Sequence, residues 1–201
     1  MSWLSDLVSM ALYTIFMQNL VLSGGYGTSE ALRVSTKPRR FLLFAAMLTY
    51  FSILTSLLCG LLDSQIDNIP ALYKLPATLR IALYGLVLVA VFLLTVLLLR
   101  VTIRPSNKFI STLGMAALNT LVFAIPFLNR QAGYSLVESL GSGLGAGAAF
   151  VLAAALMSAG LARLSQNDGI PAAFRGAPAM FLYVALISLA FLGLSGHTVF
   201  A

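Results

Sequence analysis

The sequence predicts an all-α integral membrane protein, and two observations predict it: the composition and the repeated long apolar runs. Of its 201 residues, 60% are hydrophobic and only 9% are charged, and the mean hydropathy is +0.97. A soluble domain does not carry so much apolar surface. Uncharged runs of roughly 17–25 residues recur along the chain, and each is long enough to cross the hydrocarbon core of a bilayer as a helix.

We expect six membrane spans. The connections between them are too short to hold a soluble domain, so residues 1–201 are predicted to form a single membrane domain. Pro76 and Pro178 stand at the starts of their helices, where a missing N–H removes no intrahelical hydrogen bond. The predicted spans are residues 4–22, 41–62, 76–99, 110–128, 139–161 and 178–195.

The first of these spans contains an interruption. Gln18 and Asn19 lie within an apolar run that then gives way to the glycine-rich residues 23–27. Lipid offers side-chain amides no hydrogen-bond partner, so a helix that faces only lipid normally excludes them. Amides followed by glycines therefore predict a discontinuous membrane helix that lines a polar cavity, as in many transport proteins.

The basic residues predict the orientation of the chain in the membrane. The net charge of +6 arises in short loops between apolar runs, which is the positive-inside pattern and not a nucleic-acid-binding surface. The first, third and fifth loops carry nine Lys and Arg against three on the other side, so both termini are expected outside. The nine are Arg33, Lys37, Arg39, Arg40, Arg100, Arg104, Lys108, Arg163 and Arg175, and the three are Lys74, Arg80 and Arg130.

The two halves of the chain carry matching motifs. Residues 69–77 read IPALYKLPA and residues 170–179 read IPAAFRGAPA, and each stretch leads into an apolar helix. The QNLVL motif that contains Asn19 has a counterpart around Asn119. Three spans in each half, an odd number, place the second half upside down relative to the first. We therefore predict two inverted three-helix repeats, about 1–101 and 102–201, with broken first and fourth helices.

Three amides are the candidate site residues: Gln18, Asn19 and Asn119. They could line a pathway or steady a cofactor at the pseudo-symmetric centre, or they could only form interhelical hydrogen bonds worth roughly 0.6–2 kcal/mol each. The sequence contains no catalytic triad, no HExxH motif and no carboxylate pair. Asp63 and Glu138 are expected near helix ends, so no carboxylate is expected deep in a span.

The glycine-rich run at residues 141–147 is predicted to pack helices together. It lacks the Gly-Lys-Ser/Thr ending and the preceding strand of a nucleotide-binding loop. Small residues spaced four apart instead allow a neighbouring helix to approach closely, and the packing residues are Gly141, Gly143, Gly145 and Gly147. Cys59 is the single cysteine, so neither an internal disulfide nor a thiolate metal cage is possible within one copy.

Motifs along the whole chain together point to a known family. A Pro-x-x-Phe-Arg-Gly turn at residues 171–176 leads into a last helix that ends in Phe-x-Gly-x-Ser-Gly at residues 191–196. Further motifs are QNLVL at residues 18–22 and the Leu-x-Asp end of the second span at residues 61–63. The sequence resembles the Rnf/Nqr membrane subunit family. Within it, the resemblance is to A-type members of the Rnf electron-transport complex and the equivalent E-type member of the sodium-pumping NADH:quinone reductase.

The resemblance implies a role and a set of partners. Such subunits have six helices in two inverted halves and external termini, and lie in the inner or cell membrane of bacteria or archaea. They belong to ion-translocating electron-transport complexes, where this chain would be at most a non-catalytic translocase subunit. The resemblance further implies a related partner subunit of opposite topology (E or D type). It also implies a [2Fe–2S] cluster at their interface, held by one cysteine from each broken helix.

Both cluster cysteines of the family are missing from this sequence. Alignment on Asn19 places the first family cysteine at Ser29, and alignment on Asn119 places the second family cysteine at Thr120. The proline that the family carries shortly before its second cysteine corresponds to Gly114. A hydroxyl does not replace a thiolate as a normal cluster ligand. We therefore expect the chain to bind no cluster by itself. The alternative is a stand-alone small-solute or ion transporter that reuses the scaffold, for example as an antiparallel homodimer.

Overall fold

A computed structural model describes residues 2–36, 38–69 and 75–194 of the chain. Within these ranges all regular secondary structure is helical, with eight α-helices and one 3₁₀ turn at Ala172–Phe174. The helices are α1 (Ser2–Phe16), α2 (Thr28–Ser35), α3 (Pro38–Asn68), α4 (Ala77–Thr102), α5 (Asn107–Ala117), α6 (Thr120–Ala132), α7 (Leu136–Ser165) and α8 (Ala177–Leu194).

The prediction of an all-α membrane protein is confirmed, with five candidate spans in the described part of the chain. These are Phe41–Asn68 in α3, then α4, then α5 and α6 taken together as Asn107–Ala132, then α7 and α8. Four of these spans extend beyond at least one predicted boundary: α3, α4, α7 and the α5–α6 pair. α8 begins within one residue of its prediction, and residue 195, where the prediction ends, lies outside the described residues.

The first predicted span, residues 4–22, is the exception. α1 ends at Phe16 instead of Leu22 and is an apolar helix shorter than a full span. Residues 17–27 form turns, and α2 begins only at Thr28. The helix ends early because the side chain of Asn19 supplies hydrogen bonds to the backbone that helix continuation would otherwise provide.

A tight connection joins α6 to α7. Gly133 ends α6 in the left-handed conformation, with φ of 69°, where a residue without Cβ has no steric penalty. α7 then begins with a capping box. The Glu138 N–H donates to Ser135 Oγ over 3.3 Å, and the Ser135 N–H donates to the Glu138 carboxylate over 2.7 Å. These contacts hold the end of α6 close to the start of α7.

The core forms where α7 packs against α1 and α3. Phe51 and Phe150 are fully buried there, with Leu48 and Ile125, and Phe44 lies against Phe150 with ring centroids 5.6 Å apart. By contrast, within an apolar 18-residue stretch of each helix, only 22% of the residues of α4 and 6% of those of α8 are buried in the chain. α4 and α8 therefore present most of their apolar surface to the surroundings.

The structure describes the second of the two matching motifs in full but only part of the first. In the second half, Arg175 donates hydrogen bonds to the carbonyls of Ile170 and Asp168. Gly176 has a φ of 79° just before α8, so this turn is locally defined. The first-half counterpart (Pro70, Tyr73 and Lys74), together with Lys37, Ser195, Gly196 and His197, lies outside the described residues.

Candidate functional site

The first interruption is organised by the amide of Asn19. The N–H groups of Met17 and Gln18 both donate to the Tyr13 carbonyl, over 2.8 and 2.9 Å. Asn19 Nδ2 donates to the Ile15 carbonyl over 2.9 Å, and its Oδ1 accepts the Leu22 N–H over 3.1 Å. Asn19 is fully buried. Its side chain therefore pairs with one backbone carbonyl before the helix end and one backbone N–H after it, both of which would otherwise lack a partner within the described part of the chain.

The second interruption, between α5 and α6, is organised by Asn119. Its Oδ1 accepts the Leu121 N–H over 2.9 Å and caps the start of α6. Asn119 is 4% exposed. Its Nδ2 has no hydrogen-bond partner among the described residues, although a buried donor normally has one. Asn19 therefore caps a turn inside the first interruption, whereas Asn119 caps α6 itself. Of the two, only Asn19 has a partner within the described ranges for both atoms of its amide.

The two interruptions meet at Gly27. Its backbone N–H donates to Thr120 Oγ1 over 2.9 Å, which joins residues 93 positions apart. Gly27 has a φ of 73°, and a Cβ built on it would lie 2.7 Å from Asn119 Oδ1. Both the conformation and the lack of space require glycine at this position.

An open cavity of about 430 Å³ lies beside this meeting point. We call it the break cavity. It brings together four residues singled out from the sequence, which are Ser29, Gly114, Asn119 and Thr120. It also includes Glu30, which forms an ion pair with Arg33 at 2.6 Å. The rest of its lining is Gly27, Ser111, Met115 and Leu118, whereas Gln18 and Asn19 do not line it.

The glycines of α7 face two different helices. A Cβ on Gly141 or Gly145 would lie 2.6 Å from a backbone carbonyl of α1, that of Leu7 or Ala11 respectively. A Cβ on Gly143 would lie 2.9 Å from the Ser52 carbonyl of α3, and one on Gly147 would overlap Thr49 of the same helix. α1 and α3 therefore approach α7 along two separate glycine ridges.

A second polar site lies near the end of α3, and sequence reasoning missed it. The sequence predicts Asp63 at a hydrated helix end, but the residue is 7% exposed. It pairs with Arg80 of α4 at 3.1 Å and accepts a 2.6 Å hydrogen bond from Tyr84. Asp67 pairs with Arg80 at 3.0 Å and also with Arg130 of α6. These five residues form the ion-pair cluster. Its signal in the sequence is the four-residue spacing of the acids on one helix and of Arg80 and Tyr84 on the next.

The ion-pair cluster borders a cavity of about 260 Å³ between α3, α6 and the start of α7. We call this cavity the vestibule. At its inner part, Asn129 Nδ2 donates to Ser56 Oγ over 2.8 Å, and Ser56 Oγ donates to the Ser139 carbonyl over 2.6 Å. Tyr134 lines it in the connection between α6 and α7. Burial, chiefly, raises the pKa of that phenol above its ordinary value.

Comparison with known proteins identifies the family. The family model described as "Rnf-Nqr subunit, membrane protein" matches residues 7–198. The chain belongs to the Rnf-Nqr family. The resemblance inferred from its motifs is thus confirmed.

Relatives within the Rnf-Nqr family match over most of the chain. The A-type subunit of the Na(+)-translocating ferredoxin:NAD(+) oxidoreductase complex of Acetobacterium woodii is 26% identical over 195 residues, covering 94% of this chain and 97% of the relative. The A-type subunit of an ion-translocating oxidoreductase complex from Rhodobacter capsulatus is 28% identical, covering 96% and 98%. The corresponding Aromatoleum aromaticum protein is 37% identical over 122 residues, which span 59% of this chain and 61% of that relative.

The break cavity does not offer the ligands of the iron–sulfur cluster that the family resemblance implies. Iron–sulfur clusters are held by cysteine thiolates, whereas the two positions that the motifs predict for the cysteines carry the hydroxyls of Ser29 and Thr120. Thr120 Oγ1 already accepts a backbone hydrogen bond. Cys59 is buried in α3 and lines neither cavity. Among the described residues, no group of three His, Cys, Asp or Glu side chains could hold a metal ion.

Proposed function

We propose that this chain is a membrane subunit of an Rnf/Nqr-type, ion-translocating electron-transport complex, and that it holds no iron–sulfur cluster of its own. Family membership and the names of the full-length relatives support the first part. The observation that carries the second part is the pair of hydroxyls, Ser29 and Thr120, at one cavity between two interrupted helices. The chain then contributes structure and a pathway, and other subunits carry the electrons.

The proposal includes six membrane crossings in two inverted repeats, residues 1–101 and 102–201. α1 alone, at about 1.5 Å per residue, is roughly 22 Å long and falls short of a bilayer core of roughly 30 Å. The interruption and α2 complete the first crossing, as α5 and α6 together form the fourth. At each interruption an asparagine side-chain oxygen accepts a backbone N–H two or three residues further on, which supports the repeat. The loop charges support external termini in a cell membrane.

We propose that the break cavity, which Asn119 lines, and the neighbouring interruption that contains Gln18 and Asn19 together form the pseudo-symmetric centre of the assembly. Polar groups and non-helical backbone are not stable against lipid, and Ser29 and Thr120 are exposed on the isolated chain. A protein partner must therefore cover them. We propose the related subunit of opposite topology, of E or D type, as that partner.

Iron analysis of the purified complex tests the cluster claim. The complex is isolated through a tag on this chain, and iron is measured together with the electron paramagnetic resonance spectrum of the reduced sample. We expect Thr120→Val to leave both unchanged, because Thr120 binds no iron. Ser111→Ala, at another hydroxyl of the same cavity, serves as the matched control. Loss of a [2Fe–2S] signal in Thr120→Val alone would overturn the proposal.

The alternative is a stand-alone transporter that works as an antiparallel homodimer. The hydroxyl-lined break cavity is compatible with it, because a protein without a redox site has no need of redox partners. The charge bias of nine against three opposes insertion of one sequence in both orientations. Native mass spectrometry separates the two proposals. A species of two 21.4 kDa chains without other subunits would favour the homodimer, and co-isolated subunits would favour the complex.

A further inference from the structure

The ion-pair cluster combines a buried and an open ion pair. The side chains of Asp63 and Arg80 are 10% and 9% exposed, and Tyr84 adds a hydrogen bond to Asp63. Asp67 and Arg130 are 27% and 38% exposed. Breaking the buried pair would leave a charge without water, whereas Asp67 and Arg130 can each be hydrated when they separate. The cluster therefore contains one fixed pair and one pair that can open.

The openable pair lies between the two halves of the chain. Asp67 belongs to α3, whereas Arg130 belongs to α6, and both line the vestibule. Asp67 is also bound by Arg80, which keeps its carboxylate in place when Arg130 leaves. Movement of the Arg130 guanidinium is thus sufficient to uncouple α6 from α3 at the mouth of the vestibule.

Polar groups continue inward from this mouth. Ser56, Asn129 and the Ser139 carbonyl form a buried hydrogen-bonded chain on the vestibule wall. Ser52 lies four residues before Ser56 and hence on the same face of α3. It is fully buried, and its Oγ has no hydrogen-bond partner within the described ranges. The polar face of α3 therefore continues one turn beyond the residues that line the vestibule.

We propose that the vestibule is an aqueous inlet for small hydrated ions, and that the Asp67–Arg130 ion pair is its gate. The paired charges make the closed mouth electrically balanced, because two carboxylates face two guanidinium groups. Opening exposes the Asp67 carboxylate to the inlet, where it attracts a cation in place of Arg130. The role in ion movement rests on the proposed function, whereas the gate itself is a property of this chain.

Thiol labelling tests the gate. Ser139→Cys is the reporter, because Ser139 is 2% exposed, lines the vestibule and joins its hydrogen bonds through the backbone carbonyl. Cys59 is replaced by alanine, and the complex is placed in lipid nanodiscs, where a charged, membrane-impermeant thiol reagent reaches both faces. We expect Arg130→Gln to accelerate labelling at least tenfold. Ser64→Cys, at an exposed position on the same cavity, should be labelled at the same rate in both backgrounds.

Two further variants make the result specific. Glu30→Gln removes an ion pair far along the chain, between Glu30 and Arg33, and should not change labelling of the reporter. Arg130→Lys keeps a cation beside Asp67 and should return the rate toward that of the intact pair, which excludes general unfolding as the cause. Equal labelling with and without Arg130, or no labelling in either background, would overturn the gate. Failure here with normal co-isolation of the complex would leave the proposed function standing.

Discussion

The break cavity and the vestibule are both polar, but their polarity has different origins. At the break cavity, uncharged amides, hydroxyls and glycine accommodate two helix ends, and the charged Glu30 lies with Arg33 at the edge. At the vestibule the helices are continuous on the α3 side, and the polarity comes from side chains that pair across three helices. Backbone conformation therefore dominates the first region, and long-range electrostatics dominates the second.

The largest expected effect is in the vestibule. Asp63→Asn removes the more enclosed of the two carboxylates that pair with buried Arg80 and leaves Asp67 as the remaining one. Removing one partner of a buried ion pair costs about 3 kcal/mol. We expect a loss of this size in the free energy of unfolding, measured by denaturant titration in detergent. Glu30→Gln, in an exposed pair, should lose less than about 1 kcal/mol. Equal losses in the two variants would show that the Asp63 pair contributes no more than a surface pair.

At the break cavity, a single methyl group should be nearly as damaging. Gly27→Ala forces a Cβ to within 2.7 Å of Asn119 Oδ1 at a φ of 73°, and we expect a loss of about 2 kcal/mol from strain and crowding. Gly25→Ala is the matched control, because its φ is also 73° but nothing lies within 4 Å of the added Cβ. Comparing the melting temperatures of the two variants separates the effect of the contact with Asn119 Oδ1 from the effect of the backbone strain. Identical melting temperatures would show that the contact has no effect.

The two asparagines should differ from each other. Asn19→Ala removes one donated and one accepted hydrogen bond, and we expect a loss of about 2 kcal/mol. Asn119→Ala removes only the cap of α6, for about 1 kcal/mol. Denaturant titration of the isolated chain compares them. Equal losses in the two variants would show that the second hydrogen bond of Asn19 adds nothing measurable to stability.

The smallest effect on stability should come from the gate. Arg130→Gln breaks a partly exposed pair, so the free energy of unfolding should fall by at most about 1 kcal/mol, although thiol labelling in the vestibule changes at least tenfold. A loss as large as that of Asp63→Asn would mean that Arg130 is a structural anchor. Unfolding and labelling measured on the same preparation separate these two roles.

Much of the fold follows from hydropathy alone. The five candidate spans coincide with predicted apolar runs, because the bilayer requires long uncharged segments. The end of α1 at Phe16 is not predictable in this way, since it depends on two hydrogen bonds of Asn19 that hydropathy does not describe. The interruption itself is visible in the sequence as amides followed by glycines.

The candidate site is predictable only where local sequence defines it. Neighbouring motifs single out Ser29 and Thr120, and these residues line one cavity. The ion-pair cluster escapes prediction because Asp63, considered within its own helix, stands near an end. Its partner Arg80 lies in the next helix, and no local sequence pattern predicts that Asp63 and Arg80 lie at the same level when α3 packs against α4. For the α7 glycines, spacing separates two ridges but does not say which helices face them.

The short link between α6 and α7 has a mechanical consequence. The left-handed Gly133 and the Ser135–Glu138 capping box leave these two helices little freedom to move separately. At the opposite end of α6, Leu118 and Asn119 belong to neither α5 nor α6. A backbone movement at the end of α6, unlike a rotation of the Arg130 side chain alone, would therefore also move the start of α7. Because α6 runs from the break cavity to the vestibule, such a movement would change the shape of both cavities.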